Sequence, residues 1–301
     1  MLKSLLRRAV AAFGISLLSL GSAASAATPA TQVAHPALWA VSDADTTVYL
    51  FGTIHLLPSN YKWRTSKFDE AVAGSQQLVV ETIIDENNPQ EIMAALAGLA
   101  FSPGLPPIAQ RVPPAKRPAL EAAIKKSGLP RPAFDRMETW AAAFMLLGNQ
   151  FKDMGLKNGE GVETVLRNTF KTQGKSIGEL ETNREQLSFF DGLPEDAQRA
   201  LLEGAIDEPK NMKDDFGRML GAWSRGDVNA IARSFNRDLA GSPPLKQALL
   251  ERRNANWSRW IEKRMASPGA IMVAVGAGHL AGNGSVVDML KREGYNVRRL
   301  Q

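Results

Sequence analysis

The hydrophobic pattern is strand-like at both ends of the chain and helical between them. In "LWAVSDADTTVYLFGTIHLLP", apolar and β-branched residues run from Leu38 to Val41 and again from Thr47 to Ile54, around a polar "SDADT". This predicts a β-hairpin. "SKFDEAVAG" then has the spacing of an amphipathic helix from about Lys67 to Gly74, and "LVVETII" reads as a buried strand from Leu78 to Ile84. The C-terminus repeats the plan. "AIMVAV" predicts a strand from Ala270 to Val275, then a glycine-rich loop, a helix near Ser285 to Glu293 stopped by Gly294, and an edge strand from Asn296 to Leu300. Ser285 is placed as the N-cap of that helix, with Asp288 where a capping box has its partner.

In the middle, "PEDAQRALLEGAIDEPKNMKDDFGRMLGAWSRGDVNAIARSF" and "LKQALLERRNANWSRWIEKRM" place apolar residues at helical spacing. The Pro-rich "FSPGLPPIAQRVPP" reads as a loop, and "GKSIGELET" (174–182) is the central stretch with strand character. These elements predict an α/β fold with a central mixed sheet built from the N- and C-terminal segments. The largely helical middle, roughly residues 89–260, is expected as an insertion within a single domain spanning 27–301.

Composition changes this picture at the N-terminus first. Lys3, Arg7 and Arg8 precede an apolar run from Ala9 to Ala23 and small residues around Ala26, so residues 1–26 read as a secretory signal peptide. The run is shorter than the roughly 20 residues of a spanning helix. An exported protein, periplasmic or secreted and without a stable membrane span, is expected. The formal charge of +5 shrinks when the three leader residues are removed from the 36 basic ones, leaving 33 against 31 acidic residues, a net of +2. So small an excess gives no electrostatic case for nucleic acid, and the expected partner is a peptide or small-molecule substrate. With no cysteine in the chain, disulfides, a thiol nucleophile and thiolate metal ligands are excluded.

The candidate chemistry lies in the histidines, of which there are three. His55 closes "GTIH" and His279 closes "GAGH", each just after an apolar strand, where open α/β sheets bind their ligands. Gly52 is read as a site of close backbone approach, and Gly276 and Gly278 as positions of positive φ. Glu81 stands inside "LVVETII", where burial of a carboxylate is costly unless it is paired or bound to a cation. His55, Glu81 and His279 together would suit a divalent ion such as Mn²⁺, Co²⁺ or Zn²⁺. Glu181, Glu185 and Gln186 in "ELETNREQ", and Arg252 or its neighbour Arg253 in "ERRNANW", could supply a proton shuttle and an oxyanion contact. Each residue also has a purely structural reading. Glu81 could pair with a basic side chain, Glu185 could complement a helix N-terminus, and the arginines with Trp257 and Trp260 could form the two faces of a packed helix. His35, before Pro36, reads as an exposed loop residue. Neither a Gly-x-Ser-x-Gly elbow nor a His-Glu-x-x-His helix is present.

The segments "LWAVSDADTTVYLFGTIHLLP", "LVVETIID", "ELETNREQLSFFDGLP", "AWSRGD", "ERRNANW" and "VAVGAGHLAGNGSVVDMLKREGYNVRRL" resemble the TraB/GumN family, whose relatives include the Tiki proteins. The resemblance runs from about Leu38 to the C-terminus. It implies an α/β fold related to erythromycin-esterase-like and ChaN-like proteins, and a metal-dependent hydrolase, since the Tiki relatives are regarded as metalloproteases. By position it points to His55, Glu81 and His279, with Glu181. The expected function is therefore an exported metal-dependent hydrolase, with peptides among its candidate substrates. The ion would activate water, Glu181 or Glu185 would move the proton, and Arg252 or Arg253 would steady the oxyanion. Two alternatives stay open: a non-catalytic haem or metal binder in the same crevice, and a metal-free esterase with a histidine base oriented by Glu81.

Overall fold

A computed structural model describes residues 31–58, 60–84, 88–153, 161–206, 209–239 and 241–301. The expected leader, 1–26, lies outside the described residues.

The predicted hairpin forms between β2 (Leu38–Ser42) and β3 (Thr46–Thr53), which pair antiparallel. Its turn is closed by Asp43, whose carboxylate accepts from the Thr46 amide at 2.8 Å and the Asp45 amide at 3.2 Å. A short acidic side chain that replaces backbone partners in this way is why "SDADT" turns rather than extends. Before and after the hairpin, β1 (Gln32–Val33) and β4 (Tyr61–Lys62) make a small parallel pair.

β3 is also the entry to the parallel part of the main sheet. The remaining strands are β5 (Gln77–Val80), β6 (Ser176–Glu179), β7 (Gly269–Gly276) and β8 (Val297–Arg299), and the order is β6-β5-β7-β3-β2-β8. β6, β5, β7 and β3 run parallel, while β2 is antiparallel to both its neighbours. The sheet is thus mixed and drawn from both ends of the chain, with β6 as the central contribution. β7 is buried without a break from Ile271 to Gly276, as a strand covered on both faces must be.

Helices cover both faces. The period of two in β3 sends Val48 and Leu50 into one core with Trp257, Ile261 and Leu290, and Phe51 into another with Phe68 and Leu147. The first of these cores is roofed by α12 (Arg252–Met265) and α13 (Val286–Arg292). The second is larger and takes in α1 (Ser66–Gly74), α2 (Gln90–Leu99), α3 (Arg117–Ser127), α4 (Arg131–Arg136), α5 (Thr139–Asp153), α6 (Val162–Thr172), α7 (Asn183–Asp191), α8 (Glu195–Ala205), α9 (Pro209–Ser224) and α10 (Val228–Leu239). The helical middle therefore shares its core with one face of the sheet. The Pro-rich segment is a loop with two short 3₁₀ turns, Ile108–Gln110 and Pro114–Lys116. Buried Arg111 orders it, donating to the carbonyls of Pro106, Asp135 and Met137 at 2.6–2.8 Å.

Three local expectations are revised. β5 stops at Val80 rather than Ile84, because from Glu81 onward the chain bonds to the segment after β6: the Glu181 amide donates to the Glu81 carbonyl at 2.9 Å. The last long helix is not uniform. It begins as α11 (Pro243–Lys246), widens into a π turn at Gln247–Glu251 and only then becomes α12. The capping box expected at α13 is half formed: the Ser285 hydroxyl accepts from the Asp288 amide, but the Asp288 carboxylate turns to the Gly284 amide at 2.7 Å. Among the described residues, no helix is long and apolar enough to cross a membrane.

Candidate active site at the carboxyl edge of the sheet

Four parallel strands end at one edge, and each delivers a candidate residue there. His55 follows β3, Glu81 follows β5, Glu181 follows β6, and His279 lies in the 3₁₀ turn Ala277–Leu280 that follows β7. Since β7 lies between β5 and β3, His279 is set between the ends that carry Glu81 and His55. Open α/β sheets bind their ligands at such a carboxyl edge.

The group at the centre is Arg253, which is 1% exposed. Its Nε donates to both oxygens of Glu181 at 3.0 Å, and its Nη2 donates to Glu81 Oε2 and Glu181 Oε2, each at 2.8 Å. Nη1 faces His279 Nε2 at 3.2 Å. The π turn just before α12 widens the helix where it approaches the sheet, a distortion that commonly marks functional sites. Other donors complete the carboxylates. Glu81 Oε1 accepts the Gly276 amide at 2.7 Å, Glu81 Oε2 also faces the Gln186 amide group at 3.4 Å, and Glu181 Oε1 accepts Trp257 Nε1 at 3.0 Å. The guanidinium also lies over the Trp257 ring at 4.6 Å.

Burial opposes the charge on Arg253, but the two carboxylates and their hydrogen bonds outweigh it and raise its pKa. One guanidinium shared by two buried carboxylates cannot serve both fully. Burial, with the charge of Glu81 adding to it, pushes the Glu181 carboxyl up despite Arg253 and Trp257.

The network fixes the tautomer of His279. Asn254 Nδ2 donates to the Gly284 carbonyl at 2.8 Å, which leaves its Oδ1 facing His279 Nδ1 at 2.6 Å. An arginine nitrogen can only donate, so His279 Nε2 accepts and Nδ1 carries the proton. The ring lies tilted against Trp257 at an interplanar angle of 48°, with centroids 4.3 Å apart. Burial first, then the charges of Arg253 and His55, hold its pKa well below the ordinary 6.5, so it is neutral.

His55 is built differently. Its Nδ1 lies 2.9 Å from Glu163 Oε1, and both side chains are 15% exposed. Glu163 sits in the first turn of α6, and Gly161 is the N-cap of that helix. The helix comes this close because Gly161 has no side chain. A Cβ there would run into the His55 carbonyl, and the Val162 amide donates to the Ile54 carbonyl at 3.2 Å. Burial opposes ionisation of Glu163, but the charge of His55 and hydrogen bonds from His55, Thr53 and its own backbone prevail and lower its pKa.

The structure thus joins Glu81, Glu181 and His279 through Arg253, sets His55 with Glu163 at the end of the neighbouring strand, and leaves Glu185 and Arg252 outside this network. Glu185 closes a capping box with Thr182, accepting from its amide at 2.8 Å, the helix-start role that its position allowed. Arg252 is exposed and reaches Gln247 at 3.3 Å; it is Arg253, one residue on, that turns inward. Gly276 has φ of −50° and Gly278 is not among the positive-φ residues, so neither fills the role expected of it. Gly278 is needed for space instead, as a Cβ there would lie 2.6 Å from the Phe235 ring.

Sequence reading missed Glu163 and Asn254. Asn254 follows Arg253 directly in "ERRNANW", and Glu163 ends "GEGVE", whose clustered glycines were the available signal.

The arrangement does not fit the divalent ion expected among His55, Glu81 and His279. The Arg253 guanidinium takes the lone pair of His279 Nε2 and one oxygen of Glu81, while His55 pairs with Glu163. Among the described residues, no three His, Asp or Glu side chains converge as a ligand set.

Three outcomes follow from this geometry. Arg253→Met leaves two carboxylates buried without their cation and should cost about 3–5 kcal/mol in denaturant unfolding, part of it recovered on adding Glu181→Gln. Because the unfolded chain takes up a proton at His279 below about 6.5 that the folded chain refuses, stability should rise with pH through that region and fall below it. Melting temperatures between pH 7.5 and 5 should therefore drop more steeply for the parent than for His279→Gln. Gly161→Ala should destabilise by about 1–3 kcal/mol through overpacking against His55, measured by thermal unfolding.

The sequence profile of the TraB/PrgY/gumN family matches residues 37–299. Two relatives named "Uncharacterized protein YbaP", from Escherichia coli (strain K12) and Shigella flexneri, are each 24% identical over 245 residues, covering 81% of this chain and 87% of theirs. No solved structure matches. With a family match that spans the whole sheet and every residue of the carboxyl-edge cluster, the chain belongs to the TraB/PrgY/gumN family.

Proposed function

We propose that the chain is a hydrolase of ester or amide bonds in which His55 is the general base that activates water. The observation that carries this reading is the His55 Nδ1 to Glu163 pair, at the edge where ligands of such sheets bind. Elimination supports the choice of base. The oxygens of Glu81 and Glu181 are held by Arg253, Gly276, Gln186 and Trp257, and His279 Nε2 accepts from Arg253 inside a fully buried ring. His55, with its side chain 15% exposed, is the least buried of the four, and a carboxylate on its Nδ1 leaves Nε2 as the basic nitrogen.

In the forward step His55 Nε2 takes a proton from water as the oxygen attacks the carbonyl carbon, and the ionised Glu163 stabilises the imidazolium that forms. Collapse of the tetrahedral intermediate returns that proton from His55 to the leaving alkoxide or amine, so the base is regenerated. The role of the Arg253 cluster is to hold the ends of β5, β6 and β7 in register around the reacting carbonyl. The leader-like sequence of residues 1–26 supports action outside the cytoplasm, on peptides or small esters.

The reading is tested on the purified protein with chromogenic esters and fluorogenic peptides, in chelator and after adding Mn²⁺, Co²⁺ or Zn²⁺. Turnover should survive the chelator, and His55→Ala should lower kcat/KM by roughly 10²–10⁴, the usual contribution of a general base. Glu163→Gln should move the acidic limb of the pH profile down, because loss of the neighbouring negative charge weakens the base. Loss of turnover in chelator with recovery on adding metal would sink the metal-free base and return the water to a metal ion.

A further inference from the structure

The hairpin face that looks toward α1 carries a cleft of its own. On that face Leu38 and Phe51 enter the larger core, and the period of two then sets Ala40 and Ser42 of β2 beside Tyr49 and Thr47 of β3. Arg298 of the edge strand β8 is paired with Ala40, so one row across the sheet reads Arg298, Ala40, Tyr49, with the alanine low between two long side chains. With Lys67, Glu70 and Ala71 of α1 as the opposite wall, these residues line a cleft of about 370 Å³. Its floor is made of small residues and its rim is polar.

The charges in this cleft are not spent on one another. Lys67 donates to the Leu300 carbonyl at 2.7 Å and is engaged there. Arg298 and Glu70 are both exposed, and among the described residues neither makes a hydrogen bond or an ion pair through its side chain. The hydroxyls of Ser42, Thr47 and Tyr49 are likewise unengaged among the described residues. Arg298 extends from a sheet edge and Glu70 from a helix packed on the sheet, so opposite charges face one cleft without meeting. A guanidinium fork matches a carboxylate, often with two hydrogen bonds, and a hydroxyl beside it can donate another. A carboxylate on the facing wall matches an ammonium group. An anion alone would be repelled by Glu70, and a cation alone by Arg298 and Lys67. We propose that this cleft binds a small zwitterion, an amino acid or short peptide whose carboxylate meets Arg298 and Tyr49 and whose ammonium group meets Glu70.

The cleft lies apart from the carboxyl edge. β3 rises about 3.3 Å per residue, which puts Thr53 about 20 Å beyond Thr47, and His55 follows Thr53. A small ligand held by Arg298 and Glu70 therefore does not reach His55. The volume lies at the small end of ligand pockets, which suits a molecule of one or two residues. Binding at this site can be measured whether or not the chain hydrolyses anything.

The test is calorimetric titration of the full chain at neutral pH with L-alanine and L-alanyl-L-alanine. N-acetyl-L-alanine and L-alanine amide serve as the probes that carry only one of the two charges. At least one zwitterion should bind about 10-fold or more tightly than either of these, since hydrogen bonds to charged groups contribute on that scale. Arg298→Gln and Glu70→Gln, both at exposed positions, should each weaken it by about 10-fold or more with an unchanged melting temperature, whereas His55→Ala should leave it unchanged. Added salt should weaken the parent in the same direction. Equal binding of a one-charge probe, binding that survives both substitutions, or no saturable binding of either zwitterion at millimolar concentration would overturn the proposal. So would binding lost in His55→Ala but kept in Arg298→Gln, which would put the ligand at the histidine edge. Tighter binding of alanine than of the dipeptide would identify the source as free amino acids, and the reverse order would identify short peptides.

Discussion

A guanidinium with almost no exposure to water has to be satisfied entirely by protein, and Arg253 is that group here. Its donors run to two carboxylates and a histidine, drawn from the ends of three different strands. Burying such charges costs several kcal/mol per ion, and the cost is offset only when geometry and remaining hydrogen bonds are complete. The supporting contacts follow from that demand: the Gly276 amide and Gln186 at Glu81, Trp257 at Glu181, and Asn254 at the far side of His279. The π turn before α12 belongs to the same constraint, since it adjusts the helix that must aim one arginine inward while its neighbour Arg252 remains in solvent.

The sheet makes this possible by register. β5, β7 and β3 are parallel neighbours, and their pairings bring Val80 opposite Ala274 and Thr53 opposite Gly276. Residues just beyond those pairs, Glu81, His279 and His55, must then meet at one edge although they come from opposite ends of the chain. The helical middle contributes from the same side, with α6 presenting Glu163 and β6 leading into Glu181.

Two histidines with the same local motif end in opposite electrostatic settings. His55 has the Glu163 carboxylate 2.9 Å from its Nδ1, a partner that would stabilise the imidazolium formed when the ring accepts a proton. His279 has a guanidinium on Nε2 and an amide on Nδ1, which disfavours protonation and fixes one tautomer. The matched Gly-x-x-His pieces are thus similar in backbone role and different in chemistry, and the difference lies in partners that are distant in sequence.

Alternating and continuous apolar runs were enough to place the hairpin, β7 and α13, because a strand or helix face is a property of neighbouring residues. The same local logic located His55, Glu181 and His279 at strand ends, put Glu81 inside a strand that in fact stops one residue before it, and gave Glu185 its helix-start alternative. Whether Arg252 or Arg253 faces the site could not be decided locally, since the π turn shifts the helical phase by an amount that packing sets. Nor could the pairing of His55 with Glu163 rather than with Glu81, which depends on α6 closing, through its own N-cap Gly161, against a strand end more than a hundred residues away in the chain. The sequence by itself singled out His55, Glu81, Glu181 and His279, because each stands in or just after an apolar strand run. The tertiary structure decided which of them share a charge, because long-range partners are chosen by where the helices pack and not by anything written beside them in the chain.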